Sequence, residues 1–211
     1  MSIIVNKPKI ISSQLKQLTE CTLQNEVYFD DAHCSQFHHS LNAVYDVTIR
    51  GCYIDRAALM SAKLPKLRIF NTVIEKANLA NGDWEESNLE RVQILGSRLT
   101  GLKIADGIIQ DVHIQNSRLD LCEFRFSHFK NVIFENCVLN DSDFLNANLE
   151  NVEFVGCDLQ NAQFSQAKLK QVDMSGSKID GIKMSADQLR GLTIDAGQLY
   201  AIIHILGVNI K

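Results

Sequence analysis

The stretch DFLNANLENVEFVGCDLQNAQF, Asp143 to Phe164, decides the fold once it is read in fives. Phe144, Leu149, Phe154, Leu159 and Phe164 fall on one beat, while Ala147, Val152, Cys157 and Ala162 fall two places earlier. Five is neither the helical period nor the strand period. Followed outward, the large apolar beat does not slip. Every fifth residue is apolar from Val44 through Ile49, Ile54, Leu59 and on to Ile179, Met184, Leu189, Ile194 and Leu199.

The second beat is mostly small or β-branched, as at Val132, Cys137, Ser142, Ala147 and Val152. Two inward residues separated by one outward residue is a local strand alternation. A third beat lies two residues after the large one. From Asn131 through Asn136, Asp141, Asn146 and Asn151 to Gly181 it is always Asn, Asp, Gln or Gly, mostly residues that tolerate tight turns. Each pentad is therefore a very short strand followed by a corner.

Four corners return the chain to its starting direction, so a square coil of about 20 residues is expected, with neighbouring coils roughly 4.8 Å apart. Residues twenty apart then stack. Sorting by twenty gives a leucine column, Leu59, Leu79, Leu99, Leu119, Leu139 and Leu159, and a column carrying Trp84, Phe124, Phe144 and Phe164. The period alone also fits other polygons. The fold expected is an all-β solenoid, a quadrilateral β-helix of about 8 coils with a short C-terminal α-helical cap.

Length and composition agree with one body. The 211 residues are 45% hydrophobic with a net charge of −4, enough for one buried core and without the basic footprint of a nucleic-acid binder. Only Pro8 and Pro65 interrupt the chain, and no Gly-rich or Ser-rich linker marks a boundary. Neither a signal peptide nor an apolar span of membrane length is visible, so a cytoplasmic protein without membrane contact is expected.

A solenoid exposes an apolar cross-section at each end and needs caps. Residues 1–28 are expected as an N-terminal cap or irregular first coil, 29–190 as the β-helix, and 191–211 as a terminal strand, helix and tail. Leu23 fits a register displaced by one residue from that of Phe29 and Cys34, which places a bulge or cap boundary near Gln24 to Glu26. At the other end the small beat fails at Asp187. Asp195 is a good N-cap with Gln198 in the capping-box position, and Gly207 ends a helix from about Ala196 to Leu206. That helix is apolar nearly all round, through Leu199, Tyr200, Ile202, Ile203, Ile205 and Leu206. One side can lie on the last coil. The other is expected to meet a second copy in a twofold, end-to-end dimer, unless the tail VNIK folds back over it.

The pattern seen in ANLEN, CDLQN and AKLKQ resembles the pentapeptide-repeat family over roughly Val44 to Leu189, which implies a right-handed quadrilateral β-helix. The terminal segment, through Gly191, Leu192, Ile194, Asp195, Gln198, Leu206, Gly207 and Val208, is similar to the carboxyl terminus of the Qnr quinolone-resistance proteins. That resemblance implies a dimerisation module and a DNA-mimicking protein that binds a type II topoisomerase, DNA gyrase or topoisomerase IV, and protects it from quinolones or toxins. The register here is unbroken, whereas several Qnr proteins carry loops that interrupt the repeat and assist activity.

Little else points to chemistry. Cys52, Cys122, Cys137 and Cys157 sit on the small inward beat, where thiols are core, and no CxxC spacing occurs. Cys137 and Cys157 are one coil apart, but their side chains should run parallel, and no disulfide is expected. His33, Cys34, His38 and His39 are close in sequence but should alternate between outside and inside, so neither a metal site nor a cofactor is expected. A rod filled by its own side chains is not expected to be an enzyme.

What remains is surface. Between Lys130 and Lys168 there is no Lys or Arg, but there are Glu135, Asp141, Asp143, Glu150, Glu153 and Asp158. Six charges in about 9 Å of rod approach the axial charge density of duplex DNA. Read by charge alone, the belt is either a partner surface that imitates DNA or a solvated acidic zone. Tyr45, Tyr53, Phe70 and Phe126 point outward but not on one face. The functional expectation is a protein partner without direct nucleic-acid contact, either a topoisomerase or the unknown partner of an interaction scaffold.

Overall fold

A computed structural model describes residues 3–39 and 42–208. The chain winds as a parallel β-solenoid of about nine turns with one short C-terminal helix. The six long strands are β1 (Arg68–Glu75), β2 (Asn88–Leu95), β3 (Ile108–Gln115), β4 (His128–Glu135), β5 (Asn148–Val155) and β6 (Lys168–Asp173). Each pairs in parallel with the next at an offset of 20 residues, so that Val132 lies beside Val152 and Phe134 beside Phe154. Each strand bends through a corner at its middle and covers two adjacent sides of the square, here termed the first side (through Leu149) and the second (through Phe154). The third side (through Leu159) and the fourth (through Phe164) are joined by single bridges, as Val138 to Asp158 and Asp143 to Gln163.

Period five has a direct backbone cause. The third-beat residues take a positive φ at corner after corner, including Asn131 (53°), Asn136 (51°), Asp141 (56°), Asn146 (57°) and Asn151 (61°). This left-handed conformation suits Asn, Asp and Gly and strains other L-residues. Inside, the large beat is buried from Val44 to Ile179 and stacks like on like. The rings of Phe134 and Phe154 lie 5.0 Å apart at 5°. Most polar members of the small beat are satisfied by main chain, although the buried Ser87 hydroxyl has no partner. Ser177 donates to Phe154 O at 2.9 Å and accepts from Cys157 N at 2.9 Å. All six cysteines are free and buried, and those on the small beat do the same work as serine, Cys157 Sγ pointing to Phe134 O.

The first turn of the rod is irregular. Lys16–Leu18 pairs with Ala32–Cys34 and Cys21–Thr22 with Phe37–His38, both at an offset of 16, whereas Tyr28–Asp30 already pairs with Thr48–Arg50 at 20. The first turn is thus four residues short, with Glu26 at φ 60° where the register is displaced. This early turn, together with Leu192–Thr193 pairing beyond β6, raises the count from the expected 8 coils to about nine.

Residues 3–9, ahead of that turn, run along the outside of the rod as a strap. Lys9 N donates to Asn71 Oδ1 (2.7 Å), Asn6 N to Asp111 Oδ1 (3.3 Å) and Ile3 N to Glu153 Oε1 (2.7 Å). Two of these acceptors stand on the corner between the first and second sides, and Glu153 is two residues past it.

Two glutamines close the opposite end. Ser185 and Asp195 each open a 3-10 turn, Ala186–Leu189 and Ala196–Gln198, through reciprocal capping boxes with Gln188 and Gln198. Each amide nitrogen then donates twice into the coil beneath, Gln188 to Phe164 O and Ala167 O, Gln198 to Met174 O and Ser177 O. The expected helix from Ala196 therefore starts as a 3-10 turn, and the α-helix proper, α1, is Leu199–Ile205. Among the described residues no helix is long and apolar enough to cross a membrane.

Candidate partner-binding surfaces

The C-terminal end offers an apolar surface. Ile202 is buried against the last coil, with Ala201 and Ile205 partly buried beside it. This corrects the expected interface, because Ile202 belongs to the chain's own core. Leu199, Tyr200 and Leu206, with Val208, are instead 50–68% exposed, and Ile203 is half-buried. Tyr200, Ala201, His204 and Ile205 also line a groove against Asp180, Ile182 and Met184. The alternative cover, the tail VNIK, lies mostly outside the described residues.

The six acidic residues are not brought together. Glu150 is on the first side, Glu135 and Glu153 on the second, Asp158 on the third with Asp141 at its far corner, and Asp143 on the fourth. Five of them have partners from other coils or the strap. Lys170 reaches Glu150 at 2.6 Å, Arg125 reaches Asp143 at 2.7 Å, Lys178 stands 3.8 Å from Asp158, and His113 Nε2 is 2.9 Å from Glu135. Glu153 holds the strap through Ile3 N, and Asp141 is exposed at its corner. The Lys170 ammonium hydrogen-bonded to Glu150 holds that carboxyl below its ordinary range. Exposed pairs of this kind add little stability, but Lys170, Arg125 and Lys178 offset three of the six charges. Two of these bases could have been found in the sequence, since Lys170 and Lys178 lie twenty residues after Glu150 and Asp158.

A different pair of outward residues stands out by strain. Leu121 and Phe126 occupy corners at φ 60° and 61° and are 57% and 48% exposed. They flank the fourth side at the level of Phe124. An apolar L-residue in the left-handed region gains nothing from the fold when its side chain faces water, so such outliers mark surfaces where function is to be sought. Phe126 was among the outward aromatics seen in the sequence, but Leu121 was missed because only its corner position and exposure distinguish it. Tyr45 is exposed, while Tyr53 and Phe70 are half-buried. His33 packs edge-on against Tyr53 with ring centroids 5.1 Å apart, and Cys34 is buried. Among the described residues no group of His, Cys, Asp or Glu is arranged to hold a metal ion.

Residues 100–198 of this square, corner-ladder parallel solenoid match the family model described as "Pentapeptide repeat region". No curated protein sequence matches the chain. Among solved structures it is similar to full-length QnrB1, described as a plasmid-mediated fluoroquinolone resistance protein, at 14% identity and a TM-score of 0.46, covering 92% of this chain and 99% of that one. A trypsin-treated QnrB1 variant gives 14% identity and a TM-score of 0.49 over the same shares. HetL, a pentapeptide-repeat protein involved in heterocyst differentiation regulation from the cyanobacterium Nostoc sp. strain PCC 7120, gives 15% and 0.42, covering 87% of this chain and 92% of that one.

Proposed function

We propose that this protein is a non-enzymatic, partner-binding rod of the cytoplasm that pairs end to end through α1, and that it engages a type II topoisomerase, DNA gyrase or topoisomerase IV, as a DNA mimic that protects the enzyme. The observation that carries the reading is the open face of Leu199, Tyr200 and Leu206 on a helix whose other face already caps the rod. A helix apolar on two sides needs cover on both. Dimensions support the mimicry. About nine turns at roughly 4.8 Å give a rod near 43 Å, and an end-to-end pair near 86 Å matches about 25 base pairs at 3.4 Å each. Because the acidic residues are divided among four sides and mostly paired, recognition would rest on the rod's shape and on exposed corners such as Leu121 and Phe126, with charge in a smaller part.

Sedimentation velocity tests the pairing. Wild type is expected at twice the 23.7 kDa chain mass and Tyr200→Asp at the chain mass. A wild-type monomer at every concentration removes the dimer. Titration into a gyrase supercoiling assay, with and without a quinolone, tests the partner. Protection or inhibition at micromolar protein is expected, lost in Tyr200→Asp, and neither effect at any dose removes the topoisomerase.

A further inference from the structure

The strap crosses the rod in a way that describes what its corner can bind. Its three donating amides, Ile3, Asn6 and Lys9, are three residues apart, and their acceptors Glu153, Asp111 and Asn71 stand on every second coil. Two coils rise about 9.6 Å, and three residues of extended or polyproline chain rise about 9.3–10 Å. The two repeats are commensurate, so an extended chain laid along this corner meets an acceptor at every third amide.

We infer that the corner between the first and second sides is a docking groove for an extended segment of a partner polypeptide, occupied here by the chain's own residues 3–9 as a displaceable stand-in. Its acceptors are set by the solenoid itself. Asn151 donates to Asn131 Oδ1 at 2.9 Å and Asn131 to Asp111 Oδ1 at 3.2 Å, so a polar ladder converges on a carboxylate only 4% exposed. The grip is on main chain, and Asn71 Nδ2 also returns a bond to Lys9 O at 3.3 Å. Main-chain recognition ties the groove to no single sequence. It asks for free amides at every third position, as at Ile3, Asn6 and Lys9, and proline only between donors, where Pro8 stands. The occupant is lightly held. Ile4 is 83% exposed, Asn6, Lys7 and Lys9 are exposed, and no strand pairing fixes residues 3–11. A segment held by a few hydrogen bonds and no strand pairing opens locally at far lower cost than the core. The inference does not depend on the topoisomerase reading.

The test uses the full chain carrying Ile3→Pro, Asn6→Pro and Lys9→Pro, which removes the three donors while keeping an extended backbone. The probe is a labelled peptide of residues 1–11 with its amides intact, followed by fluorescence anisotropy. The triple-proline chain should bind it roughly tenfold tighter than wild type, whose tethered strap competes at millimolar effective concentration. Asp111→Ala added to that chain should lose most of the binding. No saturable binding up to about 1 mM, or binding indifferent to Asp111→Ala, overturns the inference. Native-state hydrogen exchange on the wild-type chain tests displaceability directly. The Ile3, Asn6 and Lys9 amides should exchange by local opening, far faster than that of Val152, and exchange only with global unfolding also overturns it.

Discussion

Phe144 lies directly beneath Phe164, ring centroids 4.7 Å apart and planes at 5°, and above Phe124 at 4.9 Å and 28°. Phe154 meets Phe144 edge-on at 6.2 Å and 89°. The column is stacked along the rod and T-packed across it, both favourable aromatic geometries. Phe144→Ala opens a void in the middle of the stack and should cost about 3–5 kcal/mol, while Phe144→Leu should cost less than about 1.5 kcal/mol. Urea denaturation followed by circular dichroism measures both. A Phe144→Leu cost as large as that of Phe144→Ala would show that the stacked ring itself, beyond its buried volume, sets the stability of this layer.

Corner strain gives a prediction of the opposite sign. Leu121 sits at φ 60° with its side chain in water, and a left-handed L-residue costs about 1–2 kcal/mol that Asn partly escapes. Leu121→Asn should therefore raise stability by roughly 0.5–1 kcal/mol, a gain of about 1–4 °C in Tm for a chain of this size. Asp141→Asn, already a corner-tolerant residue at φ 56°, should change nothing. Should Leu121 be a partner contact, the stabilised variant will bind less tightly, which separates the two roles in one protein.

The cysteines make a chemical counterpart to the core. Burial pushes the Cys122 thiol up from its ordinary range, and its Sγ points to Leu99 O. Since the thiolate is the reactive form, iodoacetamide should label Cys122 slowly in the native protein and fully in urea. Fast native labelling, read by mass spectrometry, would mean that the solenoid opens at that coil.

The inward residues were legible because a solenoid repeats its environment. Phe144, Phe164 and Val152 each report a beat that many other positions confirm. The first turn was half legible: the displaced register at Leu23 marked the irregularity, but its meaning, a turn four residues short, needed the pairing of Leu18 with Cys34. The partners of the acidic belt were less legible because linear distance hides vertical neighbours, and Glu150 meets Lys170 across one coil. The strap was illegible for a physical reason. It is held by main-chain amides, and an amide leaves no trace in residue type.

Gln198 carries the C-terminal cap. It is buried, its amide donates to Met174 O at 2.7 Å and Ser177 O at 2.6 Å, and its oxygen accepts from Asp195 N at 2.8 Å. Gln198→Ala leaves Ser177 O and Asp195 N without this partner, each at about 1–3 kcal/mol when kept from water, while Met174 O keeps its bond from Ser177 N at 3.1 Å. The last turn should fray before the rod does. Hydrogen exchange should show lost protection confined to residues 192–206, with the β4 and β5 amides unchanged, and Gln198→Glu should be at least as damaging because a carboxylate would face the two carbonyls. Uniform loss along the chain would mean that the end nucleates the whole solenoid.

The strap should let go in acid. Burial works to raise the Asp111 pKa, but hydrogen bonds from the Asn6 side chain and amide, Asn131 and Gln110 outweigh it and hold the carboxyl below its ordinary range. A depressed carboxylate contributes binding that is complete above its unperturbed value near 3.9 and is lost as pH falls through the lower, docked value. The groups that hold Asp111 are neutral amides, so nothing there takes up the charge when it protonates. Amide cross-peaks of Ile3, Asn6 and Lys9 should therefore keep their docked shifts from about pH 7 to pH 5 and move toward free-peptide values below about pH 4. Asp111→Asn keeps the shape but removes the charge, and should leave the strap partly released across the whole range with the acid transition flattened. Docked shifts persisting unchanged to about pH 2 would mean that the carboxylate's charge contributes nothing to holding the strap.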